Sequence, residues 1–198
     1  MYSKKELLFA LSKEASLYPK LSSGIINKWK NKLVTNPINT QFYIYKYIRC
    51  LRFSEYHDVE SLLYKKSYSI KTIWHTIMTI YYYNKLKKIS YKTGIQIPPH
   101  TCGAGLQIWH YGYIIINERT RIGRNLTIYP GVEIGHKLPG EGCPIIGDNC
   151  FIGAGAKIFG SIRIGNNVTV AANAVVLEDI PDNAIVGGVP AKIIKMKQ

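Results

Sequence analysis

From Ile122 onward a branched aliphatic residue returns at every sixth position: Ile122, Ile128 and Ile134, then Ile146, Ile152, Ile158, Ile164, Val170 and Val176. A helix would repeat its apolar positions at i, i+3, i+4 and i+7, and a half-buried strand would alternate at i and i+2, so this period belongs to neither. It fits a chain wound into a three-sided coil, each side a short strand with one aliphatic residue turned to the axis. The pattern therefore predicts a parallel β-helix. The corners carry a repeated phrase, Gly123-Arg124-Asn125, Gly147-Asp148-Asn149 and Gly165-Asn166-Asn167, of residues that tolerate left-handed backbone angles. The last two phrases lie 18 residues apart, one coil, while the first two lie 24 apart. The six extra residues fall in residues 136–144, which hold no repeat position and are expected to protrude as a loop. Long loops on rigid scaffolds concentrate binding residues.

Counted backwards in sixes, the register reaches Ile116 and then His110, an unsuitable axial residue. Two extra residues at this point restore Ile108 and Cys102 as rungs and make Trp109-His110-Tyr111-Gly112 a bulge, a device that aims a side chain out of a regular sheet. Upstream of residue 94 the pattern is helical. Ser3-Lys4-Lys5-Glu6 has capping-box form ahead of Leu7, Leu8 and Leu11. Ile44, Tyr47, Ile48 and Leu51 form one stripe at helical spacing, and Ile73, Ile77 and Ile80 form another, each expected to be a packing face. Thr93-Gly94 should end the last helix, with Pro98-Pro99 stiffening the start of the coil. The chain thus divides into an α-helical N-terminal domain, residues 1–94, and a β-helix domain, residues 95–198.

Charge is uneven between the two parts. Residues 1–94 hold 17 Lys/Arg against 5 Asp/Glu, and residues 95–198 hold 9 against 7. The basic part could attract an acidic polymer or anionic headgroups, but no nucleic-acid motif accompanies it, and nucleic acid is not expected as a partner. The amino terminus has no apolar signal-type stretch, and the most apolar run, residues 70–83, is too short and too interrupted to span a bilayer, which leaves room only for peripheral membrane contact. Cys50, Cys102, Cys143 and Cys150 have no metal-ligand spacing, so no metal is expected and a cytoplasmic location is.

The run Gly103-Ala104-Gly105-Leu106-Gln107-Ile108-Trp109-His110-Tyr111-Gly112, then Ile114-Ile115-Ile116-Asn117, the Gly-x-Asn corners and the closing Gly187-Gly188-Val189-Pro190-Ala191-Lys192 resemble the hexapeptide-repeat acyltransferases. The match is to the serine-acetyltransferase-like branch that includes O-acetyltransferases of bacterial capsule and O-antigen. The resemblance implies left-handed winding, acetyl-CoA as cosubstrate and a homotrimer. It makes His110 the general base that takes the proton of the acceptor hydroxyl, a role suited to an imidazole. A related group, the galactoside acetyltransferases, places its catalytic histidine at the loop entrance, where Gly135-His136 stands, so His136 is the second candidate. A backbone N–H near Gly135 would serve the oxyanion. Ala154, Ala172, Lys192 and Lys195 match positions that hold CoA, the alanines along the pantetheine and the lysines at phosphate.

Departures from the family shape the expected acceptor. The carboxylate that orients the base would fall on Ile95, and the Asp directly before the base is Trp109. The Arg-His pair that grips the carboxylate of serine falls on Gly142-Cys143. This favours a saccharide acceptor of a bacterial surface polysaccharide, acidic or lipid-linked, with tyrosines such as Tyr43, Tyr47, Tyr81, Tyr82 and Tyr83 available to stack on sugar faces. The alternatives are a serine O-acetyltransferase and a non-enzymatic trimeric β-helix module. A zinc enzyme on the same coil would need three histidine ligands, and only His110 and His136 stand from Ile108 onward. His57, His75 and His100 have no motif around them and read as structural.

Overall fold

The computed structural model describes residues 3–18, 41–61 and 68–197. Three helices, α1 (Lys4–Leu17), α2 (Gln41–Glu60) and α3 (Ile70–Thr93), precede fourteen short strands among the described residues. Ser3 accepts from the Glu6 amide and the Glu6 side chain accepts from the Ser3 amide, so the capping box starts α1 as its sequence suggests. Gly94 closes α3 with φ of 76° and donates its N–H to Ser90 O at 2.8 Å. That left-handed cap needs glycine.

The strands form three faces. The first stacks β1 (Ile95–Gln96), β3 (Ile114–Ile116), β6 (Glu133–Gly135), β9 (Lys157–Phe159) and β12 (Val175–Val176). The second stacks β4 (Arg121–Ile122), β7 (Ile145–Ile146) and β10 (Arg163–Ile164), extended by bridges from Cys102 to Ile122 and from Ile164 to Ile180. The third stacks β2 (Gln107–Ile108), β5 (Thr127–Ile128), β8 (Phe151–Ile152), β11 (Thr169–Val170), β13 (Ala184–Gly188) and β14 (Ala191–Met196). Every pairing is parallel except β13 with β14. The fold is a left-handed parallel β-helix of hexapeptide repeats preceded by an α-helical region.

The sixth-position residues are its core. Ile128, Ile152 and Val170 lie in register and fully buried along the third face, and Ile134, Ile158 and Val176 do so along the first. Ile108 pairs with Ile128 and Cys102 with Ile122, each 20 residues on rather than 18, so the two extra residues sit between β2 and β3 as the register required. The corners need one correction. Left-handed angles fall on Asn125, Asn149 and Asn167, with φ between 56° and 60°, and not on Gly123, Gly147 or Gly165. Those glycines answer to close approach, since a Cβ on Gly147 would stand 2.7 Å from Gly165 O in the next coil. The asparagines also join coils, Asn125 Nδ2 donating to Asn149 Oδ1 at 2.6 Å and Asn167 Nδ2 to Asn183 Oδ1 at 2.8 Å.

The helices close the top of the coil. Ile44, Tyr47, Ile48 and Leu51 are buried as the stripe on α2 predicts, and they share one apolar cluster with the axial residues of the coil. Tyr47 OH donates to Ile97 O and accepts from Ile97 N, and Tyr18 OH pairs in the same way with Ile108. Each hydroxyl satisfies backbone groups of a first coil that has no coil above it. Arg52, which is buried, reaches furthest. Its guanidinium donates to Glu14 Oε1, Glu55 Oε2, Cys102 O and Gly103 O at 2.7–2.9 Å, tying α1, α2 and the first coil to one side chain.

The stripe on α3 is reversed. Ile73, Ile77 and Ile80 face solvent, while the buried positions are Thr72, His75, Thr79, Leu86, Ile89 and Thr93. Periodicity shows that a helix has an apolar face but not which neighbour covers it, and here α2 covers the polar one. The tyrosines offered for stacking divide similarly, since Tyr47 is buried and Tyr82 stacks on Phe53 at 5.1 Å, which leaves neither face free.

His57 and His75 meet between α2 and α3, Nδ1 to Nδ1 at 3.0 Å, and His100 bonds Asp58 at 3.1 Å. Burial, with His75 beside it, pushes His57 down from 6.5 to about 4. On acidification the unfolded chain therefore takes up this proton first, and folding stability falls as pH drops from about 6.5 towards 4. Urea midpoints at pH 7.5 and pH 5 should differ by the equivalent of at most about 2 kcal/mol, less where solvent screens the ring, and His57→Gln should remove most of that slope. An unchanged slope in the variant would place the acid sensitivity elsewhere.

Candidate active site

The bulge holds His110 at the corner between the third and first faces, after β2 and before β3. The ring is exposed, and its centroid lies 6.3 Å from that of Tyr129, which in turn lies 5.5 Å from Phe151. No carboxylate hydrogen-bonds the His110 ring among the described residues. Trp109 occupies the preceding position and Ile95 is buried towards the axis, so neither can orient the base. Gly112, with φ of 152°, closes the bulge and donates its N–H to Thr93 O at 3.0 Å.

His136 stands at a different corner, where the first face turns into the second and the loop begins. Asn117, one coil above, donates from Nδ2 to His136 Nδ1 at 3.1 Å. The orientation of that amide is fixed by its other end, since Asn117 Oδ1 accepts the Arg119 N–H at 3.0 Å. In the neutral ring Nδ1 is therefore the acceptor and Nε2 carries the proton. His136 offers a donor to whatever approaches it, whereas a general base must offer a lone pair. This separates the two candidates chemically. Asn117 is the residue that sequence reasoning missed. Its signal was in the period, because Asn117 precedes Gly135 by one coil.

Within one chain the two histidines are not brought together, since the whole of β3 separates their corners. Ala154 and Ala172 lie at the corner that holds His110, on successive coils, with Asn173 N–H bonded to Ala154 O at 2.8 Å. Both are exposed and small, so below Tyr129 and Pro130 this edge of the coil carries no bulky side chain at positions 154 and 172. Lys192 pairs with Gly187 across β13 and β14, and Lys195 pairs with Ile185. Lys192 Nζ also meets Glu178 at 3.5 Å with both side chains largely exposed, a contact too weak to withhold the ammonium from an anion. Gly135 is buried in the β6–β9 ladder, its carbonyl accepting the Gly160 N–H at 3.0 Å.

The loop closes on itself. Glu141 N–H bonds Leu138 O at 3.1 Å and the Glu141 carboxylate accepts the Leu138 N–H at 3.2 Å. Gly142 lies against Ser161, and Cys143 is buried. The exposed cations at the His136 corner are Arg119 and Lys137, while Arg121 spends one nitrogen on the carbonyls of Glu118 and Thr120. A hollow of about 400 Å³ on the second face, lined by His100, Cys102, Arg121 and Ile145, contains neither candidate histidine.

Comparison with known proteins identifies the scaffold and corrects the acceptor. Residues 145–178 match the hexapeptide repeat of succinyl-transferase. The chain is 38% identical over 138 residues to the serine acetyltransferase of Staphylococcus aureus, an alignment that covers 64% of this chain and 65% of that protein. Against the serine acetyltransferase of Staphylococcus epidermidis identity is 44% over 108 residues, covering 53% and 51%. The chain thus spans less than two thirds of the length of these relatives. In structure it resembles serine acetyltransferase from Vibrio cholerae, with TM-score 0.67, 22% identity and coverage of 98% and 68%. A serine acetyltransferase in complex with CoA gives TM-score 0.66 at 22% identity, covering 96% and 71%. These relatives overturn the expected saccharide acceptor and the polysaccharide branch, and favour the serine alternative. The expectation rested on two loop positions, 142 and 143; Arg119 and Lys137 are exposed cations on the same corner. The chain is a hexapeptide-repeat β-helix similar, over 138 aligned residues, to serine acetyltransferases.

Proposed function

We propose that this chain transfers the acetyl group of acetyl-CoA to the hydroxyl of L-serine. The observation that carries the reading is the 38% identity over 138 residues to serine acetyltransferase, joined to an exposed histidine aimed outward by a two-residue bulge in an otherwise regular coil. His110 accepts the hydroxyl proton as the serine oxygen attacks the thioester carbonyl. The carbon–sulfur bond then breaks, and the proton passes to the departing thiolate of CoA. His136, with Nε2–H held outward by Asn117, donates to the oxyanion or to the carboxylate of serine. Acetyl-CoA lies along the edge at Ala154 and Ala172, with Lys192 and Lys195 near its phosphates.

Because His110 and His136 occupy different corners, one chain presents only half of this arrangement. A neighbouring copy, in a trimer of parallel coils, supplies the other half. Arg119 and Lys137 take over the grip on the carboxylate of serine that Gly142 and Cys143 cannot provide.

The test is acetylation of free L-serine by the purified chain, followed as CoA thiol release. Lys137→Ala with Arg119→Ala should raise KM for serine about tenfold or more and leave KM for acetyl-CoA nearly unchanged, as expected for losing charge-assisted bonds to a carboxylate. Absence of acetyl-serine under conditions where acetyl-CoA binds would reject serine as the acceptor. A parallel rise in both KM values would reject the assignment of the two cations.

A further inference from the structure

Helix α3 turns its apolar side outward. Ile70, Ile73, Trp74, Ile77, Ile80 and Tyr81 stand at helical spacing on the face opposite Thr72, His75 and Thr79, and each is between 45 and 89% exposed. Ordinary amphipathic helices bury the apolar side. Continuing along α3, the outer surface changes character to Lys85, Lys87, Lys88 and Lys92, and the helix contains no Asp or Glu. Lys85 lies over the rings of Tyr81 and Tyr82 at 5.3 and 5.8 Å, and Lys87 over Tyr91 at 5.9 Å, contacts that leave the ammonium groups at the rim of the apolar surface. No helix among the described residues is long and apolar enough to cross a membrane.

We infer that the outer face of α3 is a docking surface for an anionic lipid bilayer, on which the helix lies parallel to the membrane plane. Two kinds of contact are needed together, hydrocarbon for Ile70, Ile73, Trp74, Ile77 and Ile80, and negative charge for the lysines. A bilayer with acidic headgroups offers both at the right depth, with indole and phenol groups at the boundary between them. A second copy of the same face offers the first but not the second, because α3 brings no carboxylate to meet the lysines of its partner. The excess of 17 Lys/Arg over 5 Asp/Glu in the sequence of residues 1–94 adds long-range attraction between the chain and an anionic membrane. The inference is independent of the acceptor and of His110 and His136, neither of which lies on α3.

The experiment is co-sedimentation of the full chain with phosphatidylcholine vesicles, with and without roughly 30% phosphatidylglycerol. Binding should require the anionic lipid, weaken when salt rises from about 0.1 to 0.5 M as the headgroup charge is screened, and shift tryptophan emission to shorter wavelength in a manner lost with Trp74→Phe. Trp74→Ser with Ile77→Ser should weaken partitioning about tenfold or more. Because both residues are exposed, the melting temperature and the rate of thiol release in solution should not change. Lys87→Gln with Lys88→Gln and Lys92→Gln should remove the preference for anionic vesicles. Failure to sediment, or sedimentation unaffected by these substitutions, overturns the inference. Self-association that disappears with Trp74→Ser and Ile77→Ser, in a protein that ignores vesicles, assigns the face to a second copy and overturns it equally.

Discussion

Alanine at position 110 should lower turnover by about 10²–10⁴-fold while acetyl-CoA binding stays nearly intact, the effect expected of a lost general base. His136→Ala should behave differently. With Nε2–H as the proposed donor, the loss should be smaller in turnover and should appear partly in KM for serine, depending on which oxygen it meets. If His110→Ala keeps more than about a tenth of the turnover and His136→Ala does not, the base is His136, and the tautomer set by Asn117 must change on substrate binding. The two variants also test the shared site. In a one-to-one mixture assembled from dissociated chains, a site that takes His110 from one copy and His136 from its neighbour has both histidines in about a quarter of cases. Activity should therefore exceed the mean of the two separate variants by up to roughly that fraction of the unsubstituted protein. A mixture no more active than that mean, with oligomers shown to exchange, would confine each site to one chain.

The coil was legible because its environment repeats. Every sixth residue meets the same axis, so Ile122 through Val176 announce themselves, and a two-residue irregularity before Ile116 can be counted without seeing it. The bulge at His110 and the loop after Gly135 were found this way, as departures from a period. The same arithmetic, applied across coils, would have placed Asn117 beside His136. The helical part has no such repeat. The stripe of α2 coincides with its buried side, whereas that of α3 marks its exposed side, and nothing local distinguishes them. The polar contacts that close the first coil are less legible still. Glu14, Arg52 and Glu55 are ordinary charged residues in sequence, and Arg52 meets Glu14 across 38 positions. The expected saccharide acceptor, which the serine acetyltransferase relatives overturn, rests on two loop positions, 142 and 143, alone.

Arg52 carries the largest expected effect on stability. Its guanidinium is buried between two carboxylates that are themselves buried, and it also satisfies the carbonyls of Cys102 and Gly103. Arg52→Leu removes the only guanidinium in this cluster among the described residues and leaves Glu14 and Glu55 without it at no exposure to water. Breaking a buried pair by deleting one partner typically costs about 3–5 kcal/mol, which for a chain of this size corresponds to a melting temperature lower by roughly 6–20 °C. Arg52→Lys should fall between the two, since an ammonium keeps the charge but cannot span the two carboxylates and two carbonyls with a planar fork. Glu14→Gln should cost much less than Arg52→Leu. Desolvation holds the Glu14 carboxyl above its usual range despite Arg52, so its charged form is already disfavoured by folding at neutral pH, and Glu14 Oε2 has no hydrogen-bond partner to lose. Glutamine keeps an oxygen for Arg52, gives up the charge and puts an NH2 donor where Oε2 stands without a partner. Urea denaturation of the three variants at pH 7.5 checks the ranking. Equal losses for Arg52→Leu and Glu14→Gln would mean that Glu14 is stabilised in its ionised form, and that the contact between α1 and the first coil depends on the charge pair more than on the hydrogen bonds Arg52 gives to Cys102 and Gly103.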